Sequence, residues 1–438
     1  MQRVLYGVFW IGVYLILVLT PLFLLLVGEV PPGRGFWREL SVALGFAGLA
    51  MMGLQFLLTA RYKFITAPYG IDVIYHFHRQ ISVVAFLLIL AHPVILFITS
   101  PGTLVLLNVF TAPWRARFGV FGLIVLLLLI ITSLKRINLR INYEPWRISH
   151  GLLATAAVVL AMAHVIGVGY YIGTPGKRAF WLLLTALWVG SLLYIRVVKP
   201  VMMLRRPYVV TDIIPERGES WTLVLKPNGH KGLKFQPGQF AWLTIWSSPL
   251  SIKEHPFSFS SSAMKNSEFS LTIKELGDFT REIKKVTPGT RAYLDGPYGD
   301  FSIDRYVGPG YVFISGGVGI TPVMSMLRTM ADRHDRRPVL LIYGSKTWDG
   351  VTFRDEIDAL KEQLNLQVVH VLEQAPPDWQ GETGFVTANM LARYLPRERM
   401  ELQYFLCGPE PMMNAVEAAL GQLGISLEQS HAERFNLV

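Results

Sequence analysis

Four histidines fall inside apolar runs where a polar ring is costly. His78 and His92 are fourteen residues apart in Val73–Thr99, and His150 and His164 are fourteen apart in Ile148–Ile172. Fourteen residues of helix turn through about 1400°, within about 40° of four full turns, so each pair shares one face. At about 1.5 Å of rise per residue, the two rings of a pair stand about 21 Å apart. Imidazoles at two heights on two neighbouring helices are a ligand set for two stacked haems, each gripped by one ring from each helix. His78 then pairs with His150, and His92 with His164. Two axial histidines leave the iron six-coordinate, which favours electron transfer over oxygen activation at the metal. One histidine in such a run reads more simply as a polar contact or a pore group. The same spacing twice singles out haem, and ionisable groups within a membrane span are functional candidates by default. His76 has no partner at that spacing and is left out. Gly151, Gly167 and Gly169 would let a flat macrocycle approach the second helix.

Ligands at two heights need spans to carry them. The chain has 438 residues, of which 52% are hydrophobic and only 16% charged. That balance points to a protein with a large membrane part. Six runs are long enough to cross a bilayer or nearly so: Val4–Val27, Leu40–Leu58, Val73–Thr99, Phe118–Leu134, Ile148–Ile172 and Ala179–Val198. The first has no small-residue cleavage site and reads as a retained helix. One set of flanks holds Arg61, Lys63, Lys135, Arg136, Arg140, Arg147, Arg196, Lys199, Arg205 and Arg206. The other holds Arg34, Arg38, Arg115, Arg117, Lys177 and Arg178. The richer set should face the cytoplasm, which puts both termini inside. The net charge of +10 therefore marks topology rather than nucleic-acid binding. The single cysteine, Cys407, rules out an internal disulfide framework and a multi-cysteine metal site.

From about Pro207 the pattern changes. Short alternating strands such as Trp221–Leu225 and Phe240–Ile245 predict a small antiparallel β-barrel to about residue 305. After it, strands at Tyr311–Ser315, Val339–Tyr343 and Leu366–Leu372 alternate with helices at Val323–Asp332 and Arg354–Gln363. That alternation predicts a parallel, doubly wound α/β sheet. The fold class is thus a multi-domain membrane protein. Residues 1–200 form a six-helix di-haem bundle, 201–305 a flavin-binding barrel and 306–438 a nicotinamide-nucleotide domain.

The barrel carries HPFSFSS (His255–Ser261). Pro256, Phe257 and Ser258 supply a rigid backbone, an aromatic face and a hydroxyl, which suit a flavin ring and its ribityl chain. Lys274 and the turn Gly277-Asp278-Phe279-Thr280 offer a charge, N–H groups and a hydroxyl for a pyrophosphate. Next comes SGGVGITP (Ser315–Pro322), directly after a strand. Gly316, Gly317 and Gly319 permit close backbone approach, Thr321 reads as an N-cap, and Pro322 as the first helical residue. Cys407-Gly408-Pro409 follows the strand Gln403–Leu406 at the ligand crevice of such a sheet. The thiol there suits a nicotinamide contact, or a buried structural role. Phe435 places an aromatic ring where the open face of a flavin would need cover. Ser345, Lys346 and Arg354 lean towards a 2′-phosphate, hence NADPH over NADH.

In this order the cytosolic motifs resemble the ferredoxin–NADP reductase superfamily. With the histidine helices in front, nearly the whole chain resembles the NADPH oxidase and ferric reductase family. The resemblance implies haem ligation by His78, His92, His150 and His164. It implies FAD contacts from His255, Pro256, Phe257 and Ser258, with Lys274, Gly277, Phe279 and Thr280 near the phosphates. It places the nicotinamide nucleotide on Gly317, Gly319, Thr321 and Pro322, beside Cys407, Gly408 and Pro409. A C-terminal aromatic residue stacks on the flavin in that family, whereas here Phe435 is followed by Asn436, Leu437 and Val438. The implied activity passes electrons from NAD(P)H through FAD and two b-type haems to an acceptor outside. Oxygen, giving superoxide, is the first expectation, and a ferric chelate or quinone the alternative. A haem-bearing partner of a separate redox enzyme is a further alternative. The expected surroundings are a cell-membrane bilayer, with the reductase part cytoplasmic and no obligatory protein partner.

Overall fold

The computed structural model describes residues 2–62, 70–265 and 267–434. Lys63 and Phe435 lie outside these described residues. The chain forms two compact units, one built from most of residues 1–199 and the other chiefly from residues 200–437.

Among the described residues six helices are long and apolar enough to cross a membrane: Gly7–Leu25, Phe36–Thr59, Val73–Thr99, Trp114–Leu134, Tyr143–Val168 and Pro175–Leu204, the last running a few residues past the first unit. They are called the first to sixth spans. Their outer faces show Phe9, Leu152 and Leu183, which are 58%, 68% and 70% exposed. Lipid is the solvent in which such a surface is stable, which fits six membrane-spanning helices. The second span is the most enclosed, with Ser41, Phe46, Leu49 and Gln55 all buried. Trp181 and Trp188 of the sixth span pack into its surroundings at 0% and 1% exposure.

The second, fourth, fifth and sixth helices start four or five residues before the expected bounds, at Phe36, Trp114, Tyr143 and Pro175, and two span ends have a clear local cause. The fifth span closes at Val168, because Gly169 takes a left-handed φ of 66° and caps it by donating to the Val165 carbonyl. Gly169 is therefore a helix stop, not a cofactor cradle. Gly167 makes room for the Cβ of Arg115, and only Gly151 faces open space. The sixth helix starts earlier, at Pro175 behind Thr174, and passes at Tyr194–Val198 into a π-helical turn before Lys199–Leu204.

The second unit contains two sheets. In the first, strands β1 (Tyr208–Glu216), β2 (Ser220–Pro227), β3 (Phe240–Ile245), β4 (His255–Ser258), β5 (Phe269–Lys274) and β6 (Arg291–Tyr298) lie in the order β4-β3-β6-β1-β2-β5. The paired strands are antiparallel, and the sheet curls around Val210, Leu223, Leu243 and Leu271. Its two ends approach through the isolated pair Phe259–Leu271, so the expected barrel is a curled half-barrel closed at one point.

The second sheet holds β7 (Tyr311–Gly316), β8 (Val339–Ser345), β9 (Leu366–Leu372), β10 (Glu382–Thr383), β11 (Gln403–Cys407) and β12 (Ser430–Glu433), in the order β10-β9-β8-β7-β11-β12. All its pairs are parallel. Strand order reverses between β7 and β11, which creates the crevice where such sheets hold ligands. The helix Ile320–Asp332 ties the two sheets together. Its Ser325 donates to the Ser261 carbonyl at 2.7 Å, and Arg328 donates to the Ser260 carbonyl at 2.5 Å while gripping Glu356.

Candidate functional site

The four histidines form two facing pairs. His78 and His150 have ring centres 6.2 Å apart, and His92 and His164 have theirs 6.4 Å apart. Two imidazole–metal bonds of about 2.0 Å, with about 1.1 Å from each donor nitrogen to its ring centre, require a spacing of about 6.2 Å. Both pairs therefore stand at the separation at which one iron fits between them.

Each ring is held from behind by a neighbouring span. Nδ1 of His78 faces Gln55 Oε1 at 3.0 Å. Nδ1 of His92 faces the Ser41 carbonyl at 3.0 Å and the Ser41 hydroxyl at 2.9 Å. Nδ1 of His150 faces Ser133 Oγ at 3.0 Å, and Nδ1 of His164 faces the Arg115 carbonyl at 2.7 Å. The carbonyls and the amide oxygen can only accept. Ser133 gives its one proton to the Leu129 carbonyl at 2.7 Å, so towards His150 it also accepts. All four rings are thereby fixed as Nδ1–H tautomers, which leaves Nε2 with the lone pair a metal needs. The donor set and spacing fit haem iron. Gly45 and Gly119 complete the arrangement, since a Cβ on them would stand 3.2 Å from His92 Cγ and 2.9 Å from His164 Nδ1.

None of these supports was picked out in the sequence, yet a trace of them is present. Ser41 and Gln55 are themselves fourteen residues apart on the second span and mirror the spacing of His92 and His78. His76 is exposed, consistent with its omission.

In the half-barrel, β4 carries His255, Pro256, Phe257 and Ser258 opposite Leu243, Trp242, Ala241 and Phe240 of β3. Phe279 joins this strand to the Gly277–Thr280 turn, stacking on His255 at 3.8 Å and lying near-parallel to Phe257 at 6.1 Å. The two expected flavin motifs thus meet. Lys274 ends β5 opposite Ser220. The Thr280 hydroxyl oxygen accepts from the N–H groups of Leu276 and Gly277, both at 2.8 Å. Thr280 therefore builds the turn, with its hydroxyl already committed.

At the switch point the two glycine-rich ends interlock. A Cβ on Gly319 would stand 2.1 Å from the Cys407 carbonyl, and one on Gly408 would stand 3.0 Å from Gly316 N. Gly317, Gly319, Gly408 and Pro409 are thus brought together. The helix begins at Ile320, capped by Gly319 after a 3-10 turn over Gly317–Gly319. This corrects the expected start: Thr321 and Pro322 lie inside the first turn, and Thr321 is 2% exposed with no partner for its hydroxyl among the described residues. Cys407 is fully buried beside Glu433 of β12. Burial first, then the Glu433 charge, push its thiol pKa up. Arg434 is anchored to Asn414 at 2.9 Å and Glu417 at 2.7 Å. The expected flavin cover, Phe435, is beyond the described residues. Arg354 lies over the Trp348 ring at 4.5 Å and donates to the Trp348 carbonyl at 3.2 Å. Ser345 is 6% exposed. Of the three residues expected to meet a 2′-phosphate, only Lys346 is exposed.

Three family models match along the chain. Residues 44–161 match a ferric reductase like transmembrane component, residues 219–302 an FAD-binding domain, and residues 313–418 an oxidoreductase NAD-binding domain. In this order the matches make the chain a fusion of a ferric-reductase-like transmembrane domain with FAD-binding and NAD-binding oxidoreductase domains, the arrangement of a ferric reductase/NADPH oxidase-like fusion. It is similar to NADH-cytochrome b5 reductase 1 of Lodderomyces elongisporus, 33% identical over 36% of this chain and 54% of that protein. It is also similar to the glycine betaine monooxygenase reductase subunit of Chromohalobacter salexigens, 29% identical over 46% of this chain and 56% of that protein. The chain spans about half the length of these relatives. A solved flavohemoglobin from Malassezia yamatoensis shares fold, with a TM-score of 0.50 at 16% identity over 92% of this chain and all of that one.

Proposed function

We propose that this chain, a transmembrane NAD(P)H-dependent flavin oxidoreductase, carries single electrons from NAD(P)H by way of FAD and two bis-histidine haems to an acceptor on the outer side. Oxygen is that acceptor and superoxide the product, one NAD(P)H supplying two electrons to two O2. The observation that carries the reading is the doubled histidine pair, 6.2 and 6.4 Å between ring centres, with every Nδ1 facing an acceptor.

When bound, the nicotinamide supplies a hydride, the flavin exchanges two electrons or one, and haem iron changes by one. The protein's part is placement. His78, His150, His92 and His164 offer Nε2 lone pairs at two heights. His255, Phe257 and Phe279 form an aromatic ledge for a flavin. The Gly317–Gly319 turn and Gly408 bring main chain close to a nucleotide at the crevice. Arg61, Lys63, Lys135, Arg136, Arg140, Arg147, Arg196, Lys199, Arg205 and Arg206 outnumber the six basic residues on the opposite flanks, which supports an inner reductase unit with both termini inside. An inside-negative potential then assists outward electron movement by about 2.3 kcal/mol per 100 mV.

The test is His92→Ala in the full-length protein. The expected variant oxidises NAD(P)H with ferricyanide at the wild-type rate but makes no superoxide-dismutase-sensitive product. Undiminished superoxide formation by it would refute the scheme. A wild-type protein that reduces ferric chelate or quinone under argon, and makes no superoxide in air, would assign the alternative acceptor. Haem reduction that required a second protein would favour the partner reading.

A further inference from the structure

The two histidine pairs are held differently. At His92 and His164 each Nδ1–H group meets a main-chain carbonyl, of Ser41 at 3.0 Å and Arg115 at 2.7 Å, with the Ser41 hydroxyl also 2.9 Å from His92 Nδ1. At His78 and His150 they meet side chains, Gln55 Oε1 and Ser133 Oγ, both at 3.0 Å. Main-chain carbonyls are present whatever the residue, whereas a side-chain acceptor is a choice of sequence.

Gln55 is specified for this task. It is 5% exposed within a membrane span, one turn before the end of Phe36–Thr59, where a buried amide needs a reason to be. Its Nε2 donates to the Met51 carbonyl at 2.9 Å, one turn earlier on the same helix. That bond fixes the amide orientation, so Oε1 and not Nε2 is turned to His78. Ser133 is likewise committed by its bond to Leu129, and only its lone pairs remain for His150.

A hydrogen bond accepted from the far nitrogen of an imidazole makes the ring more electron-rich at the near one. A more electron-rich axial ligand favours ferric over ferrous iron, so a good acceptor behind the ring lowers the site's reduction potential. We propose that Gln55, assisted by Ser133, is the positioning residue of the His78–His150 site. It holds the ring in its Nδ1–H tautomer and sets that site's potential independently of the other. This rests on the haem reading given above.

The experiment is a reductive titration of the full-length protein in lipid nanodiscs, following the haem bands of wild type, Gln55→Met and Ser133→Ala. Methionine preserves the length and helix preference of glutamine but takes away the acceptor. The expected result is two haems retained, with one of the two midpoint potentials raised in each variant and the other unmoved. The same midpoint should move in both variants. Gln55 and Ser133 lie on different spans, so Ser133→Ala carries the test if Gln55→Met does not fold. Two haems with both midpoints unchanged would overturn the proposal, and so would equal movement of both midpoints. A wild-type protein without haem would instead overturn the underlying reading.

Discussion

A Cβ on residue 119 would stand 2.9 Å from Nδ1 of His164, inside the space of the hydrogen bond that this nitrogen makes to the Arg115 carbonyl. Gly119 and His164 can be neighbours only because one has no side chain. The same helix supplies the carbonyl and, one turn on, the gap. At the equivalent place on the second span the approach is looser, 3.2 Å from a Cβ on Gly45 to His92 Cγ. Gly119→Ala should therefore displace His164 and lower bound haem from two to about one per flavin. Gly45→Ala should retain most of both haems. A pyridine haemochrome assay against flavin content reads this, and two haems in Gly119→Ala would contradict it.

A second prediction concerns acid stability. His370 of β9 packs edge-on against Trp348 at 5.2 Å and near Tyr343 at 6.0 Å, and neither ring nitrogen has a hydrogen-bond partner among the described residues. Burial brings its pKa down to about 4; the charge of Asp358 opposes the fall, and Lys361 and Arg354 add to it. An unfolded histidine titrates near 6.5. Between these values the unfolded chain binds the extra proton, so stability rises with pH through that window and is lost on acidification from about 6.5 towards 4. His370→Phe removes this contribution. Melting temperatures followed by flavin fluorescence should fall less steeply for the variant than for wild type between pH 7 and 5. Parallel curves would show that His370 is not the source.

These sites were legible to different degrees, for physical reasons. The histidines stood out because a polar ring is rare in an apolar run, and their period fixed the pairing now seen at 6.2 and 6.4 Å. Their supports did not stand out. The Arg115 support is a main-chain carbonyl, which leaves no side-chain signature, and at Ser41 a carbonyl acts beside the hydroxyl, so the residue type tells only part of the contact. Ser133 spends its proton within its own helix, as serines in spans commonly do. Strand β3 and the helix Arg354–Gln363 matched expectation to the residue, because turns and charge changes bound them sharply. The helix after SGGVGITP did not, since a 3-10 turn moved its start upstream and made Gly319, not Thr321, the cap. The fifth span ended early because Gly169 adopts a left-handed conformation that a hydropathy pattern does not register.

The last prediction concerns the nucleotide. Recognition of a 2′-phosphate needs a cation free to approach it. Arg354 was expected to serve, but its side chain is 14% exposed and lies within reach of Asp349 at 3.9 Å and Asp355 at 3.6 Å. Its guanidinium also covers Trp348 and donates to the Trp348 carbonyl. Freeing it would expose an indole face and break its hydrogen bond to that carbonyl. Ser345, the second candidate, is 6% exposed, so Lys346 alone remains. A single exposed lysine is a flexible point charge and discriminates weakly. NADH should therefore support flavin reduction at least as well as NADPH. Lys346→Ala should change the ratio of the two kcat/KM values by less than about tenfold, which corresponds to about 1.4 kcal/mol. Stopped-flow flavin reduction with each nucleotide measures this, and a preference for NADPH beyond tenfold in the wild type would show that Arg354 leaves Trp348 when the nucleotide binds.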